Sequence, residues 1–222
     1  CFEHEAVLAC LDAMLISQLG RHDLIDPQWL AAAQQRLAGA PEKLARFESP
    51  GHGWEPFGGD PADLVLTAFG VYAVDRLAEQ LPNEMQSAQV MADRAARWLL
   101  GRHDGQGNFE PLAEPLGPAP PRPRRLVDAY LIWALTETGH DELETALESL
   151  LAVTGDSDDP YFLALVAATA VNLGQKAQGK RLMDALAELQ AVDGRVAGAS
   201  VSPFRSSGTL LEIEATALAV LA

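Results

Sequence analysis

Two kinds of helical segment alternate along this chain of 222 residues, and that alternation is the strongest constraint on its fold. The first kind is apolar nearly all round, as in the stretch YFLALVAATAVNL that begins at Tyr161. A helix without a polar face has to be surrounded by protein, so these segments are predicted to lie inside the fold. The predicted apolar helices are 5–19, 62–78, 126–137, 161–173 and 209–222.

The second kind of helix is amphipathic, with apolar residues at intervals of three and four and charge on the opposite face, as at Leu182, Leu186 and Leu189. The predicted amphipathic helices are 27–38, 84–102, 141–153 and 175–190. Both kinds fit a fold in which an inner ring of helices is covered on all sides and an outer ring of helices exposes one face to solvent. We therefore predict an all-α fold, an α/α toroid or double-layered helical barrel of the terpenoid-cyclase type, with residues 1–222 as a single domain.

Proline and glycine mark the predicted ends of several helices. Each of three prolines follows an aspartate that can cap a helix start, and three glycines stand where helices should stop. Strand-like alternation is scarce, and only 195–204 hints at extended backbone. The prolines are Pro27, Pro61 and Pro160, and the glycines are Gly20, Gly139 and Gly174.

A turn of similar character follows several of the predicted helices and leads, through a loop, into an apolar helix. These turns lie at 51–54, 104–109 and 193–196, and their spacing of about fifty residues or a multiple of it suits stacked helical hairpins. The proline-rich stretch 111–123 cannot be helical throughout, and we expect a surface connection there.

Composition excludes several classes of protein. A net charge of −15 argues against binding to nucleic acid or to anionic membrane surfaces, which select for Lys and Arg. No uncharged apolar run approaches the about 20 residues that a membrane span needs, so we expect no membrane insertion. Cys1 and Cys10 suggest neither a disulfide framework nor a metal site, and no cofactor is indicated. Because the chain starts on Cys1 and stops at Ala222 in an apolar run, we expect a domain excised from a larger protein.

Four stretches, in order along the chain, resemble one family. Cys1-Phe2-Glu3, followed by His4, is similar to a Cys-x-Glu-Gln thioester motif. The segment GWEPFGGDP at 53–61, with LTAFG at 66–70, is similar to glycine- and aromatic-rich segments of bacterial macroglobulins. Two further matches are DPY with LAL at 159–165 and EIEATALA at 212–219. Together they resemble the thioester-containing, complement-like domain of the bacterial alpha-2-macroglobulin family.

The resemblance implies an α/α toroid and a large multidomain parent that traps proteases as an endopeptidase inhibitor or tags targets. It also implies a periplasmic or cell-envelope location. The partners implied are the other domains of the parent chain, together with proteases or envelope proteins.

In that family, the cysteine sulfur and the glutamine side-chain carbonyl close an internal thioester. Cys1 supplies the thiol, but His4 stands in place of the glutamine and imidazole has no carbonyl to be attacked. Glu3 has the wrong spacing, so we predict a degenerate thioester motif at Cys1, Glu3 and His4, and a domain that is not an enzyme. Some members also carry a histidine after the Asp-Gly turn, and 109–120 contains none. His103 precedes this turn and is interpreted as a helix C-terminal residue favoured by the dipole.

Two enzymatic alternatives stay open. Cys1 and His4 could form a nucleophile and its base, because a nearby imidazole activates a thiol. The second alternative is a small toroid enzyme that acts on isoprenoids or polysaccharides. The residues DSDD at 156–159 match the Asp-x-Asp-Asp pattern of terpene cyclases. The simpler interpretation of that stretch is a loop in which Asp159 caps the helix that begins at Pro160.

A surface at the mouth of the barrel is the remaining candidate site, formed by Trp54, Phe57, Glu212 and Glu214. The two glutamates lie on a mostly apolar helix, so each must reach water, a partner or a backbone amide. Without His or Cys at suitable spacing, they do not predict a metal site. A third functional class, a module that binds partners through its acidic surface, is also compatible with the charge.

Overall fold

The computed structural model describes residues 1–20, 26–80, 86–110 and 122–222. These residues form α-helices joined by turns, with isolated β-bridges and no extended strand, so the all-α prediction is confirmed. None of the helices in this part of the chain combines the length and apolar character that crossing a bilayer requires. Residues 111–121, which contain most of the predicted proline-rich connection and of the stretch without histidine, lie outside the described residues.

The observed helices match the segments expected from hydrophobic periodicity, with one addition. The short α3 was not anticipated, because six residues are too few to show a period; its Ala40, Pro41 and Leu44 are buried. The helices are α1 Phe2–Gly20, α2 Pro27–Ala38, α3 Ala40–Ala45, α4 Leu64–Gln80, α5 Gln86–Leu100, α6 Arg124–Glu137, α7 Glu144–Thr154, α8 Pro160–Asn172, α9 Lys176–Glu188 and α10 Thr209–Leu221.

Two of the three predicted Asp-Pro helix starts are confirmed. The carboxylate of Asp26 accepts a hydrogen bond from Gln28 N at 2.7 Å, and that of Asp159 accepts from Tyr161 N at 2.9 Å. The third prediction, at Pro61, is wrong. The second inner helix, α4, begins at Leu64, and Asp63 caps it by accepting from Leu66 N at 2.9 Å.

The chain divides into two compact units, Cys1–Gly101 and Arg102–Ala222. In the first unit α4 packs against α5 and α1, while α1 also contacts α2 and α3. In the second unit α8 is central, because α6, α7, α9 and α10 all pack against it. The aliphatic and alanine side chains of α8 are buried over nearly its whole length, as its uniformly apolar sequence requires.

The prediction that all apolar helices are covered on every side holds for α6 and α8 and is wrong for α1 and α10. Alanines and Phe2 form the buried face of α1, but Leu11 is 53% and Met14 58% exposed. Leu210 and Ile213 of α10 are similarly exposed. Apolar composition therefore predicted the positions of these two helices correctly. It did not predict how much of each helix the described residues cover.

The three predicted turns share a backbone geometry that sequence similarity only hinted at. Each is closed by an isolated antiparallel bridge between residues six positions apart, and each is followed by an inner helix. The bridges join Glu48 with Trp54, His103 with Phe109, and Gln190 with Val196.

Candidate functional site

The start of α1 is held against the turn that precedes α4 by an aromatic stack. The Phe2 ring lies 5.1 Å from the Trp54 ring, centroid to centroid, with an angle of 21° between the planes. The backbone N–H of Phe2 donates to the Pro56 carbonyl at 3.0 Å. The stretches that carry the first and second parts of the family resemblance are therefore in direct contact within the first unit.

The Trp54 side chain is locked from several directions. Its indole N–H donates to the Leu44 carbonyl at 3.3 Å, and its backbone N–H donates to the hydroxyl of Thr67 at 2.9 Å. A Cβ atom on Gly70 would lie 2.4 Å from the indole and 2.7 Å from the Phe2 ring, so glycine is required there by close approach. The packing fixes the position of residue 2, and with it the direction in which α1 begins.

The loop between Trp54 and Gly59 is ordered by one carboxylate. Glu55 Oε2 accepts from Phe57 N at 2.7 Å and from Gly59 N at 2.8 Å. Gly58 adopts a φ of 81°, where a Cβ would also lie 2.6 Å from the Arg46 carbonyl oxygen. The loop is consequently a tight, internally bonded structure beside the N-terminus of α1.

The three residues of the degenerate motif sit at the first turn of α1. Cys1, Glu3 and His4 are all exposed, and Cys1 contributes its carbonyl to the first helical hydrogen bond, from Glu5 N at 3.3 Å. Phe2, between them, is fully buried. The thiol, the Glu3 carboxylate and the imidazole thus face solvent around a buried aromatic anchor.

The second thiol has a different environment. Cys10 is partly covered on α1, and burial raises its pKa to about 11. Because the thiolate is the reactive form, Cys10 is a poor nucleophile at neutral pH. Cys1 is the more exposed of the two thiols.

The residues predicted at a barrel mouth have unlike environments. Trp54 is only 1% exposed and belongs to the core, whereas Phe57 is 80% exposed. Burial of Trp54 follows from its stack on Phe2, which the one-dimensional pattern does not reveal.

Glu212 and Glu214 each find a partner within the second unit, as their place on an apolar helix required. Glu212 Oε2 lies 3.0 Å from Arg195 Nη1. Glu214 accepts a hydrogen bond from the hydroxyl of Ser206. Burial, with the nearby charge of Glu214, raises the pKa of Tyr161. The two glutamates therefore serve to attach the loop 195–206 to α10.

His103 is not a helix C-terminal residue, because α5 ends at Leu100. It lies in the second turn, where its ring contacts Phe109 at 5.0 Å and its Nε2 is 3.1 Å from the backbone N of Gly107. Burial lowers its pKa, and accepting that N–H requires an unprotonated nitrogen. His103 thus acts as a neutral acceptor that shapes the turn.

The acidic stretch 156–159 acts as a helix start. Asp159 caps α8 with one carboxylate oxygen and accepts from the hydroxyl of Ser200 at 3.0 Å with the other. A pocket of about 190 Å³ lies beside it, lined in part by Arg125, Asp156 and Phe162. Both oxygens of the aspartate that would correspond to the last position of a cyclase motif are therefore engaged.

One buried charge was missed at the sequence level. Asp128 is 4% exposed within the apolar middle of α6, and it accepts from Phe109 N at 3.2 Å. The available signal was a lone aspartate in the stretch LVDAYLIWAL. Within the described residues, no group of three or more His, Cys, Asp or Glu side chains is placed to hold a metal ion.

No protein family model matches this chain, and no curated protein sequence matches it significantly.

Proposed function

We propose that this chain is a thioester-type domain of a bacterial alpha-2-macroglobulin-like protein, that it lacks a working thioester, and that it acts by non-covalent interaction. The parent would be a protease-trapping or envelope-defence protein of the periplasm or cell envelope. Its partners would be the other domains of the parent and the proteases or envelope proteins that the parent engages. In this proposal the domain is not an enzyme.

The observation that carries the proposal is the contact between Phe2 and Trp54. These residues belong to the two most distinctive stretches of the resemblance, which are far apart in the sequence and adjacent in the first unit. The hydrogen bond from Phe2 N to Pro56 O joins the same two stretches through their backbones. A glycine- and aromatic-rich loop packed at the first turn of the cysteine-bearing helix suits a site built to position residue 1.

The chemistry of the first turn supports a non-covalent role. An internal thioester needs an acyl donor three positions from the thiol, and His4 has none. Cys1 is exposed, so an acyl group on its sulfur would also be open to attack by water. The positioning apparatus is present while the electrophile cannot form, which favours a domain that has kept its shape and lost its acyl chemistry.

The α/α toroid remains part of the proposal, and burial within each unit supports it. The helices α4, α6 and α8 place most of their side chains in the core, whereas the intervening α5, α7 and α9 bury one face only. An inner layer and an outer layer of helices would produce this division.

Intact mass and thiol titration test the absence of the thioester. We expect the full unmodified mass and one thiol, Cys1, that reacts rapidly under native conditions, with Cys10 reacting only on unfolding. The Cys1→Ser variant is the matched control and should remove the rapid reaction. A mass lower by one ammonia, with a Cys1 thiol that appears only after methylamine treatment, would contradict the proposal.

The parent protein gives a second test. Macroglobulin-type β-sandwich domains encoded immediately before Cys1 would support the proposed architecture. A full-length reading frame in which other kinds of domain flank this one would contradict it, whatever the state of the thiol.

A further inference from the structure

The three bridged turns share a second feature beyond their backbone geometry. In each, the residue that closes the bridge donates its backbone N–H to a side chain on the following inner helix. The donor–acceptor pairs are Trp54 N to Thr67 Oγ1 at 2.9 Å, Phe109 N to Asp128 Oδ1 at 3.2 Å, and Val196 N to Thr216 Oγ1 at 3.0 Å.

The acceptor is a threonine in two turns and an aspartate in one. The Thr67 and Thr216 hydroxyls also donate to the carbonyls four residues earlier, at 2.6 and 2.7 Å. Each neutral hydroxyl thereby accepts the N–H of the turn and also has an acceptor for its own hydrogen. An ionised Asp128 can accept but cannot donate, and it places a negative charge where the other two turns have none.

Arg124 is the compensating group in the second turn. Its Nε lies 3.5 Å from Asp128 Oδ2, and its Nη2 donates to the Phe109 carbonyl at 2.5 Å. Side chains four residues apart on α6 therefore hold both backbone groups of Phe109. The Arg124 side chain is half exposed, so water screens its charge. The Asp128 side chain is buried and has lost most of its hydration.

We propose that Asp128 and Arg124 form a pH-sensitive latch on the 103–109 turn, which is tightest when Asp128 is protonated and loosens when it ionises. Closing the turn buries the carboxyl group, and burial disfavours its charged form. A protonated Asp128 would resemble the two threonines, being neutral, able to accept from Phe109 N and able to donate. Opening the turn would return the ionised carboxylate to water.

The other charged groups around Asp128 define the expected pH range. Burial raises the pKa of Asp128 to about 6 from 3.8; hydrogen bonding to Phe109 and the charge of Arg124 oppose the shift, and Asp104 adds to it. The pKa of Asp104 is lowered to about 2, so it stays ionised near pH 6. Of the helices packed on α6, α8 contributes Tyr161 as its only titratable side chain, and the carboxylates Glu144 and Glu148 of α7 are exposed.

His103 is the other group of the turn that titrates, and it acts in the opposite direction. Its pKa is lowered in the closed turn, so protonation at lower pH would favour opening. The pKa of Asp128 is raised, so protonation favours the closed turn. The sign of the pH dependence therefore identifies which residue controls the turn. Arg102 and Glu110 flank the bridge, and the Glu110 N–H donates to the Arg102 carbonyl at 2.9 Å.

Amide hydrogen exchange measured by NMR on the whole chain tests the latch. After correction for intrinsic exchange, the protection of the Phe109 amide in the unmodified chain, divided by its protection in Asp128→Thr, should fall about tenfold between pH 5 and pH 7.5, because the carboxyl titrates near 6 when closed and near 3.8 when open. The Trp54 and Val196 amides, which bind threonines, are internal controls and should stay level. Asp128→Thr installs the acceptor of the other turns and leaves His103 in place, so the Phe109 protection in this variant should show only the rise with pH that His103 produces.

The opposite outcomes are distinct. A ratio of Phe109 protection, unmodified chain to Asp128→Thr, that stays level or rises with pH would overturn the latch. An equal fall at Val196 would mean that Asp128 couples to unfolding of the whole second unit, and this too would overturn a local device. Titration of the Asp128 carboxyl carbon by NMR needs no variant; a midpoint near 4 would contradict the proposal even if Asp128→Thr failed to fold.

Discussion

The Phe2 ring stacks on the Trp54 indole at 5.1 Å, and this contact joins the first turn of α1 to the loop that leads into α4. Neither side chain retains appreciable exposure. Stacked aromatic pairs contribute about 0.5–1.5 kcal/mol beyond the area they bury. The pair therefore stabilises the first unit and also determines where Cys1 lies.

Replacing Gly70 by alanine tests how closely this pair is packed. In an unconstrained helix interior the change would stabilise by about 0.5–1 kcal/mol. Here the new Cβ would meet the indole at 2.4 Å, so we expect the free energy of unfolding to fall by about 1–3 kcal/mol. Gly51→Ala, where the nearest atom would be 3.7 Å away, is the control. Urea unfolding followed by tryptophan fluorescence measures both, and a stabilised Gly70→Ala would contradict the packing.

The hydroxyl of Thr67 is expected to matter more than its methyl group. Thr67→Val keeps the shape but leaves the buried Trp54 N–H without its acceptor, which should cost about 1–3 kcal/mol. Thr67→Ser retains the hydroxyl and should cost clearly less. Denaturant titrations of the two variants decide the matter, and equal losses would show that the hydrogen bond contributes little.

The acidic stretch 156–159 offers a test of helix capping. Asp159→Ala removes the cap of α8 and should destabilise by about 0.5–2 kcal/mol. Asp156→Ala and Asp158→Ala remove neighbouring charges and should change stability by no more than about 0.5 kcal/mol. Thermal melts of the three variants compare them directly. Similar losses in all three would mean that the stretch has a role other than capping.

The stability conferred by Asp104 should depend on pH in the acid range. Its carboxylate accepts from Asn108 Nδ2, Asn108 N and Gln106 N, and these bonds lower its pKa to about 2 from 3.8. Since the folded state binds this proton more weakly, the contribution is present above pH 3.8 and disappears as pH falls through about 2. The difference in melting temperature between the unmodified chain and Asp104→Ala should narrow across that range. A constant difference from pH 6 to pH 2 would refute it.

The exposed apolar face of α1 should tolerate polar substitution. Leu11 is half exposed, so Leu11→Gln is expected to change the free energy of unfolding by no more than about 0.5 kcal/mol. Ala13 lies on the buried face of the same helix, and Ala13→Gln should destabilise by about 1–3 kcal/mol through overpacking. Thermal unfolding of both variants is the measurement. A large loss for Leu11→Gln would show that this face is covered in solution.

Hydrophobic patterning, together with the proline and glycine signals, determined the all-α class and placed nine of the ten helices of the described residues, with each end correct to within three residues. This succeeded because secondary structure in long apolar or amphipathic segments depends on local spacing, and because aspartate before proline caps a helix through neighbouring backbone groups. The presence of a thiol and the absence of an acyl donor at residue 4 are likewise facts of covalent chemistry that need no fold.

Tertiary structure decided everything that depends on residues distant in sequence. It buried Trp54 against Phe2, showed Glu212 and Glu214 attached to the loop before α10, and left the outer faces of α1 and α10 exposed among the described residues. It also placed Asp128, Thr67 and Thr216 in equivalent positions, where each accepts a backbone N–H from one of the three turns. Burial and hydrogen bonding between separate segments set these outcomes, and a one-dimensional pattern records which residues are apolar or charged but not which neighbours they will have.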